Sequence, residues 1–145
     1  MLVYAEAIGS LPSDREKAES ARRLLEKLVA TGIRPVIALQ SLAELHRVLV
    51  RKGGFQPRAA EQKLLIWRET SQVMASEEPI FDNALELASD HHFQIYDSIV
   101  FAAAVHARCD LLLSEDMQDG FSWRGVTVAN PFAVPLEPRL ARLLA

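Results

Sequence analysis

Apolar residues occur along the chain in two patterns, at helical spacing and in short continuous runs. The helical spacing is clearest in "SDREKAESARRLLEKLVATG", where Ser13 and Glu16 form a capping box and Gly32 ends the helix. The segment "YDSIVFAAAVHARC" is apolar on nearly every side, which predicts a buried helix capped by Asp97. Three further helices are predicted in "SLAELHRVLVRKGG", which Ser41 caps, in "PRAAEQKLLIWRETS" and in "EPIFDNALELASDHH".

The short continuous apolar runs predict buried strands in "RPVIAL", "DLLLSED" and "RGVTVANPF", and a further short strand in "QVMA". Because crossover helices separate these strands, the sequence predicts an α/β fold with a short parallel sheet that helices cover on both faces. No repeat, low-complexity segment or long linker divides the chain, so residues 1–145 are expected to form a single domain. Residues 135–145 are expected to be a short amphipathic tail.

Composition and charge limit the binding partners and the cellular location expected of the protein. The formal net charge of −3 argues against a general nucleic-acid binder, so any contact with RNA has to be local or metal-mediated. The longest apolar runs fall well short of the roughly 20 residues of a membrane span, and no export signal is recognised. The single cysteine, Cys109, precludes an intrachain disulfide. These features predict a cytoplasmic protein without a membrane partner.

Acidic residues follow the predicted strands and open one predicted helix: Glu44 comes after "PVIAL", Asp116 and Asp119 come after "DLLLS", and Asp97 opens the apolar helix. In open α/β sheets the functional site lies beyond the carboxyl ends of the strands, so these carboxylates are expected to converge. Crowded carboxylates repel one another unless a cation neutralises them. An oxygen-only ligand set, with no cysteine or histidine at ligand spacing, favours Mg²⁺ or Mn²⁺ over zinc.

Each of these acids also has a purely structural interpretation. Glu44 would complete a capping box with Ser41, and Asp97 would simply cap its helix. Asp116 and Asp119 would be solvated carboxylates of an ordinary loop. The joint placement of the four acids favours a site over these separate explanations.

Polar residues around these acids have alternative interpretations as well. Arg47 and Arg51 lie on the helix that carries Glu44 and would either meet an RNA backbone or form its solvated face. Ser114 would bond a neighbouring carboxylate or a metal-bound water, or else satisfy backbone groups at the end of its strand. The histidines are expected to be structural: partly buried for His46 and His106, and a helix end for His91 and His92.

Three stretches resemble the PIN-domain ribonucleases in their order and spacing: "SLAELHRVLVRK", "YDSIVFAAAVHARCDLLLSEDMQDG" and "GVTVANPF". Many such proteins are toxins of VapBC-type toxin–antitoxin modules. The resemblance, which covers nearly the whole chain, implies a three-layer α/β fold and a metal-dependent endoribonuclease that hydrolyses RNA at an acidic Mg²⁺ or Mn²⁺ site. It implies that Glu44, Asp97 and Asp116 are the catalytic metal ligands and that Asp119 is a further one. It also implies a cognate antitoxin and a homodimer.

The start of the chain departs from the pattern of that family. PIN domains begin with an apolar strand that ends in a motif like Asp-Thr-Asn, and the resemblance aligns "LVYAEA" with the helix that follows this strand. The first strand and its aspartate are therefore expected to be missing from residues 1–145, so that the sheet lacks its central strand. Two explanations stay open. Either the natural protein starts upstream of Met1, or it is a catalytically impaired PIN-like module that serves protein–protein interaction.

Overall fold

Six helices and five short strands alternate along residues 15–145, the part of the chain that this computed structural model describes. In chain order they are α1 (Arg15–Ala30), β1 (Val36–Ala38), α2 (Leu39–Arg51), α3 (Pro57–Thr70), β2 (Gln72–Met74), α4 (Glu78–His91), α5 (Ile95–His106), β3 (Leu111–Leu113), β4 (Ser122–Trp123), β5 (Val126–Ala129) and α6 (Pro138–Leu144). The predicted α/β fold with parallel strands is confirmed. The predicted cap Ser13 and the segment "LVYAEA" lie outside the described residues.

The strands form two small sheets. β1 pairs in parallel with β2, and β3 pairs in parallel with β5. β4, which the sequence did not predict, pairs antiparallel with β5 across a tight turn at Arg124 and Gly125. Both turn residues have positive φ, 47° and 86°, which matches the twist of a two-residue hairpin. Within residues 15–145 no strand joins β1 to β3.

Two predicted helix caps are wrong. α2 begins at Leu39 with Ala38 as its N-cap, because β1 passes into the helix without a loop, and Ser41 is buried inside the first turn. α5 begins at Ile95 with Gln94 as its N-cap, so Asp97 lies inside the first turn rather than before it. The capping interpretations of Glu44 and Asp97 therefore fail.

Of the histidine predictions, the one for His91 and His92 is confirmed and the one for His46 and His106 is wrong. His91 and His92 do mark a helix end, since α4 ends at His91 and His92 adopts a left-handed φ of 58°. His46 and His106 are exposed rather than partly buried, because α2 and α5 turn their small and aliphatic side chains inward instead.

α5 is the central helix of the described fold. Its side chains Phe101, Ala102 and Ala103 are almost completely inaccessible, and it packs extensively against α4. Burial on nearly every side explains why its sequence lacks a polar face. No helix within residues 15–145 is long and apolar enough to cross a membrane.

The C-terminal tail packs one side of α6 into the core. Leu140 of α6 is fully buried in a cluster with Ala21, Leu24 and Leu28 of α1. The α6 helix is capped by Glu137, whose Oε2 accepts hydrogen bonds from the backbone N–H groups of the first turn. The tail therefore offers no free apolar face at Leu140 for a partner.

We expect Leu140→Ala to destabilise the protein by about 2–4 kcal/mol, because it leaves a cavity between α1 and α6. Urea unfolding measures the loss. Val134→Ala is the matched control, since Val134 is 97% exposed and its truncation should change the free energy of unfolding by less than about 0.5 kcal/mol. Equal small effects of the two substitutions would contradict the packing of α6 in the core.

Candidate functional site

Three of the predicted acids line one small cleft at the ends of β1 and β3. Glu44, Asp97 and Asp116 share this cleft, which has a volume of about 40 Å³. The remaining lining comes from the end of β3, its following loop and the start of α5: Tyr96, Val100, Leu112, Leu113, Ser114 and Met117. The convergence expected from the strand ends is therefore present in the fold.

A different structural element positions each acid at the cleft. Glu44 stands in the second turn of α2, which starts directly at the end of β1, and Gln40 donates a hydrogen bond to its Oε1 at 3.3 Å. Asp97 stands in the first turn of α5, next to the fully buried Ser98. Asp116 belongs to the loop that leaves β3. Helix starts and strand ends thus supply all three carboxylates.

Ser114 holds the loop that carries Asp116. Its buried Oγ accepts hydrogen bonds from the backbone N–H groups of Asp116 at 3.2 Å and of Met117 at 3.3 Å. This is the backbone role that the sequence left as one of two alternatives. Ser114 is therefore a positioning residue for Asp116.

The electrostatics of the cleft show that the acids are close enough to repel. The pKa of the half-buried Asp97 is raised, first by the loss of solvent around the carboxyl group and then by the charges of Asp116 and Glu44. A bound cation would reverse both costs, since it replaces the lost solvent and offsets the neighbouring negative charges.

Three other predicted site residues do not line the cleft. Asp119 Oδ1 accepts the backbone N–H of Asn130 at 2.7 Å, which ties its loop to the end of β5. Arg47 and Arg51 are exposed on α2. They follow Glu44 by three and seven residues, and side chains with this spacing lie on the same side of a helix. The two arginines therefore form a basic stripe that extends along α2 away from the cleft.

Tyr96 and Lys17 are site neighbours that the sequence did not single out. Tyr96 forms a wall of the cleft and is 64% exposed, although its ring is large and apolar. Lys17 Nζ lies 2.6 Å from Glu115 Oε2 and 5.5 Å from the ring centroid of Phe132, so α1 is tied to the acidic loop. The position of Tyr96 next to Asp97 in the sequence could have identified it as a site residue. The contact of Lys17 with Glu115 could not be identified from the sequence, because the two residues are 98 positions apart.

The donor set of the cleft fits a hard divalent cation in its chemistry. Carboxylate and hydroxyl oxygens line it, and no cysteine or histidine does. Within residues 15–145, however, no three acidic, histidine or cysteine side chains lie close enough to enclose a metal ion.

The raised pKa of Asp97 predicts how metal-free stability varies with pH. A carboxyl group whose folded pKa exceeds its unfolded value stabilises the fold at low pH, and this contribution is lost as pH rises from about 4 through the raised pKa. Asp97→Asn should remove the loss, which is on the order of 1 kcal/mol or less because the group is half-exposed. Thermal unfolding in chelator between pH 4 and 8 measures it, with Asp119→Asn as the control. Parallel profiles for wild type and Asp97→Asn would contradict the electrostatics described above.

Comparison with protein families identifies a match over most of the chain. Residues 5–121 match the family model described as the PIN domain, whose members are typically metal-dependent nucleases. No match is found among curated proteins. Since the family model covers most of the sequence, including all three acids of the cleft, this chain belongs to the PIN-domain family.

Proposed function

We propose that this protein is a metal-dependent endoribonuclease that hydrolyses RNA phosphodiesters at the cleft of Glu44, Asp97 and Asp116. The observation that carries the proposal is the convergence of these three carboxylates, from α2, α5 and the loop after β3, in one cleft. Neither Glu44 nor Asp97 caps a helix, so the structural alternatives to a chemical role are weakened. Membership of the PIN-domain family supports the same activity.

The three acids would hold the ion directly or through its waters. When bound, Mg²⁺ or Mn²⁺ would lower the pKa of a coordinated water and offset the charge of the phosphodiester oxygens. Burial and its acidic neighbours oppose the ionised form of Asp97, so this group favours a cation in the cleft. Ser114 keeps Asp116 at the cleft by fixing the turn of its loop.

Two features support RNA as the substrate: the positive charge of nearby arginines and the exposed ring of Tyr96. Arg47 and Arg51 supply local positive charge beside an acidic site in a chain whose net charge is −3. They would bind the phosphates that flank the reacting one. The exposed ring of Tyr96 at the cleft offers a face on which an unpaired base stacks, which is typical of single-stranded RNA recognition.

We further propose that the protein is the cytoplasmic toxin of a toxin–antitoxin pair and forms a homodimer. The resemblance to VapC-like toxins supports the role. Phe81 and Leu85 lie one turn apart on α4 and are 43% and 45% exposed, so they give a partner an apolar stripe to cover. The α6 tail is excluded as that surface at Leu140, which is already buried.

An interaction module with impaired catalysis is the second candidate. The observation in its favour is the exposed apolar pair Phe81 and Leu85 on α4, which a partner protein would cover. Tight binding of a partner protein without metal-dependent cleavage would establish this candidate in place of the nuclease.

We expect Asp97→Asn and Asp116→Asn each to lower metal-dependent RNA cleavage by at least about 100-fold, because each removes a carboxylate from the cleft. Asp119→Asn is the matched control: its amide oxygen still accepts the Asn130 N–H, and its side chain lies outside the cleft. This control should retain activity within about threefold. Initial rates on a single-stranded RNA, with and without Mg²⁺ or Mn²⁺, measure both. Loss of activity in Asp119→Asn alone would overturn the assignment of the three acids.

We expect the double variant Arg47→Gln, Arg51→Gln to raise KM about tenfold and to leave kcat within about threefold, because the two side chains bind phosphate rather than the reacting atoms. The dependence of kcat/KM on salt should become less steep, since fewer counterions are released. Arg68→Gln, an exposed arginine on α3, is the control. An unchanged KM and salt dependence in the double variant would mean that Arg47 and Arg51 form only a solvated face.

A further inference from the structure

Positive charge gathers around the loop that joins α2 to α3. Residues 45–64 carry five lysine and arginine side chains and one acidic side chain, Glu61, although the net charge of the whole chain is −3. Two of the five are Arg47 and Arg51 of α2. The other three lie in the loop and in the first two turns of α3, and all of them are exposed: Lys52, Arg58 and Lys63. We call these three residues the basic end.

The charges of the basic end are not neutralised by carboxylates of the described structure. On α1, Arg22 and Arg23 both form salt bridges with Glu19, and Arg22 forms another with Glu26, as is usual on a solvated helix face. Within residues 15–145 the basic end forms no salt bridge. Its positive field is therefore available to an anionic ligand.

Close contacts fix the loop that carries this charge. The N–H of Gly53 donates to Val48 O and the N–H of Phe55 donates to Leu49 O, both at 3.1 Å, so the loop folds back on the last turn of α2. A Cβ at Gly53 would lie 2.8 Å from Leu49 O, which leaves no space for a side chain. Lys63 Nζ lies 5.4 Å from the ring centroid of Phe55, which keeps Lys63 beside the loop. A loop held in this way presents its charges at a low entropic cost of binding.

The basic end continues a row of charge that starts at the cleft. Glu44 lines the cleft, and Arg47 and Arg51 follow it on the same side of α2. From Glu44 to Arg51 the helix rises about 10 Å, and the loop then adds the basic end. A single nucleotide does not span this distance, whereas a stacked nucleic-acid strand carries a phosphate about every 3.4 Å. The row therefore fits the backbone of a strand that extends from the cleft.

We propose that the basic end is a second RNA-binding subsite, which holds phosphates of a single-stranded RNA several nucleotides away from the bond that is cut. This inference deepens the proposed function and rests on it for the identity of the ligand. Phosphate contacts of this kind position a strand and add affinity without reading its sequence. Continuity with the cleft favours RNA over an acidic protein segment, since the reacting phosphate and the bound phosphates then belong to one backbone.

Equilibrium binding in chelator tests the subsite without any cleavage. The probe is a fluorescent single-stranded RNA of about 16 nucleotides, and anisotropy measures its Kd. We expect the double variant Lys52→Gln, Arg58→Gln to raise Kd about tenfold. The slope of log Kd against log salt should fall by about 1.4, which is about 0.7 for each lost phosphate contact. An unchanged Kd and slope would overturn the proposal.

The double variant Arg68→Gln, Arg142→Gln is the matched control. Both arginines are exposed and lie outside the basic end, and their loss changes the net charge by the same amount. It should leave Kd within about twofold, because distant exposed charges are screened by salt. Equal losses of affinity in the two double variants would overturn the subsite, because net charge alone would then explain them. A polyglutamate peptide of equal charge that binds more tightly than the RNA would overturn it too, since the surface would then belong to an acidic protein.

Cleavage kinetics test the distance between the subsite and the cleft. We expect KM to be at least about tenfold lower for an RNA of about 16 nucleotides than for one of about 4, with kcat within about threefold. The variant Lys52→Gln, Arg58→Gln should remove most of this difference. Equal KM values for the two lengths, with cleavage intact, would overturn the subsite and leave the nuclease standing. RNA binding that follows the expected pattern without any cleavage would support the subsite and overturn the nuclease.

Discussion

Three carboxylates that share one cleft repel one another, and the fold has to hold them together against that repulsion. It does so with elements that are anchored elsewhere: α2 through the buried Leu45 and Leu49, α5 through Phe101, and the loop after β3 through Ser114. Burial of the carboxyl group, followed by the charges of Asp116 and Glu44, raises the pKa of Asp97. The packing of these elements therefore stabilises an arrangement that is unfavourable in itself, and a cation is the natural means of relieving it.

α5 links the acidic cleft to the rest of the molecule. Its first turn carries Asp97 and its middle forms the core with Phe101. Its Val100 lines both the cleft and a larger apolar cavity of about 840 Å³, which β1 and β3 also line. Leu112 and Leu113 also line both spaces, so the two adjoin. Because cores transmit strain, a change of packing around Val100 affects the position of the acids as well as the stability of the fold.

Several features were predictable from the sequence because they depend on local chemistry. Apolar periodicity located the helices and the short strands, and prolines and glycines marked several of their ends. The caps Ser41 and Asp97 were misassigned because the strand-to-helix connection at Ala38 has no loop and α5 starts before Asp97, and neither feature has a local signal. The two-residue strand β4 was missed because it is held by pairing with β5 rather than by its own pattern.

The sequence by itself determined the class of the fold, the acids Glu44, Asp97 and Asp116 as candidates and the preference for a hard cation, since periodicity and side-chain chemistry are properties of the chain. Tertiary structure alone decided which candidates meet: Asp119 bonds to Asn130 instead, and Ser114 serves the backbone. It also decided that Leu140 of α6 belongs to the core and that β1 and β3 line one apolar cavity. These outcomes depend on contacts between residues far apart in the chain, and no local pattern encodes such distances.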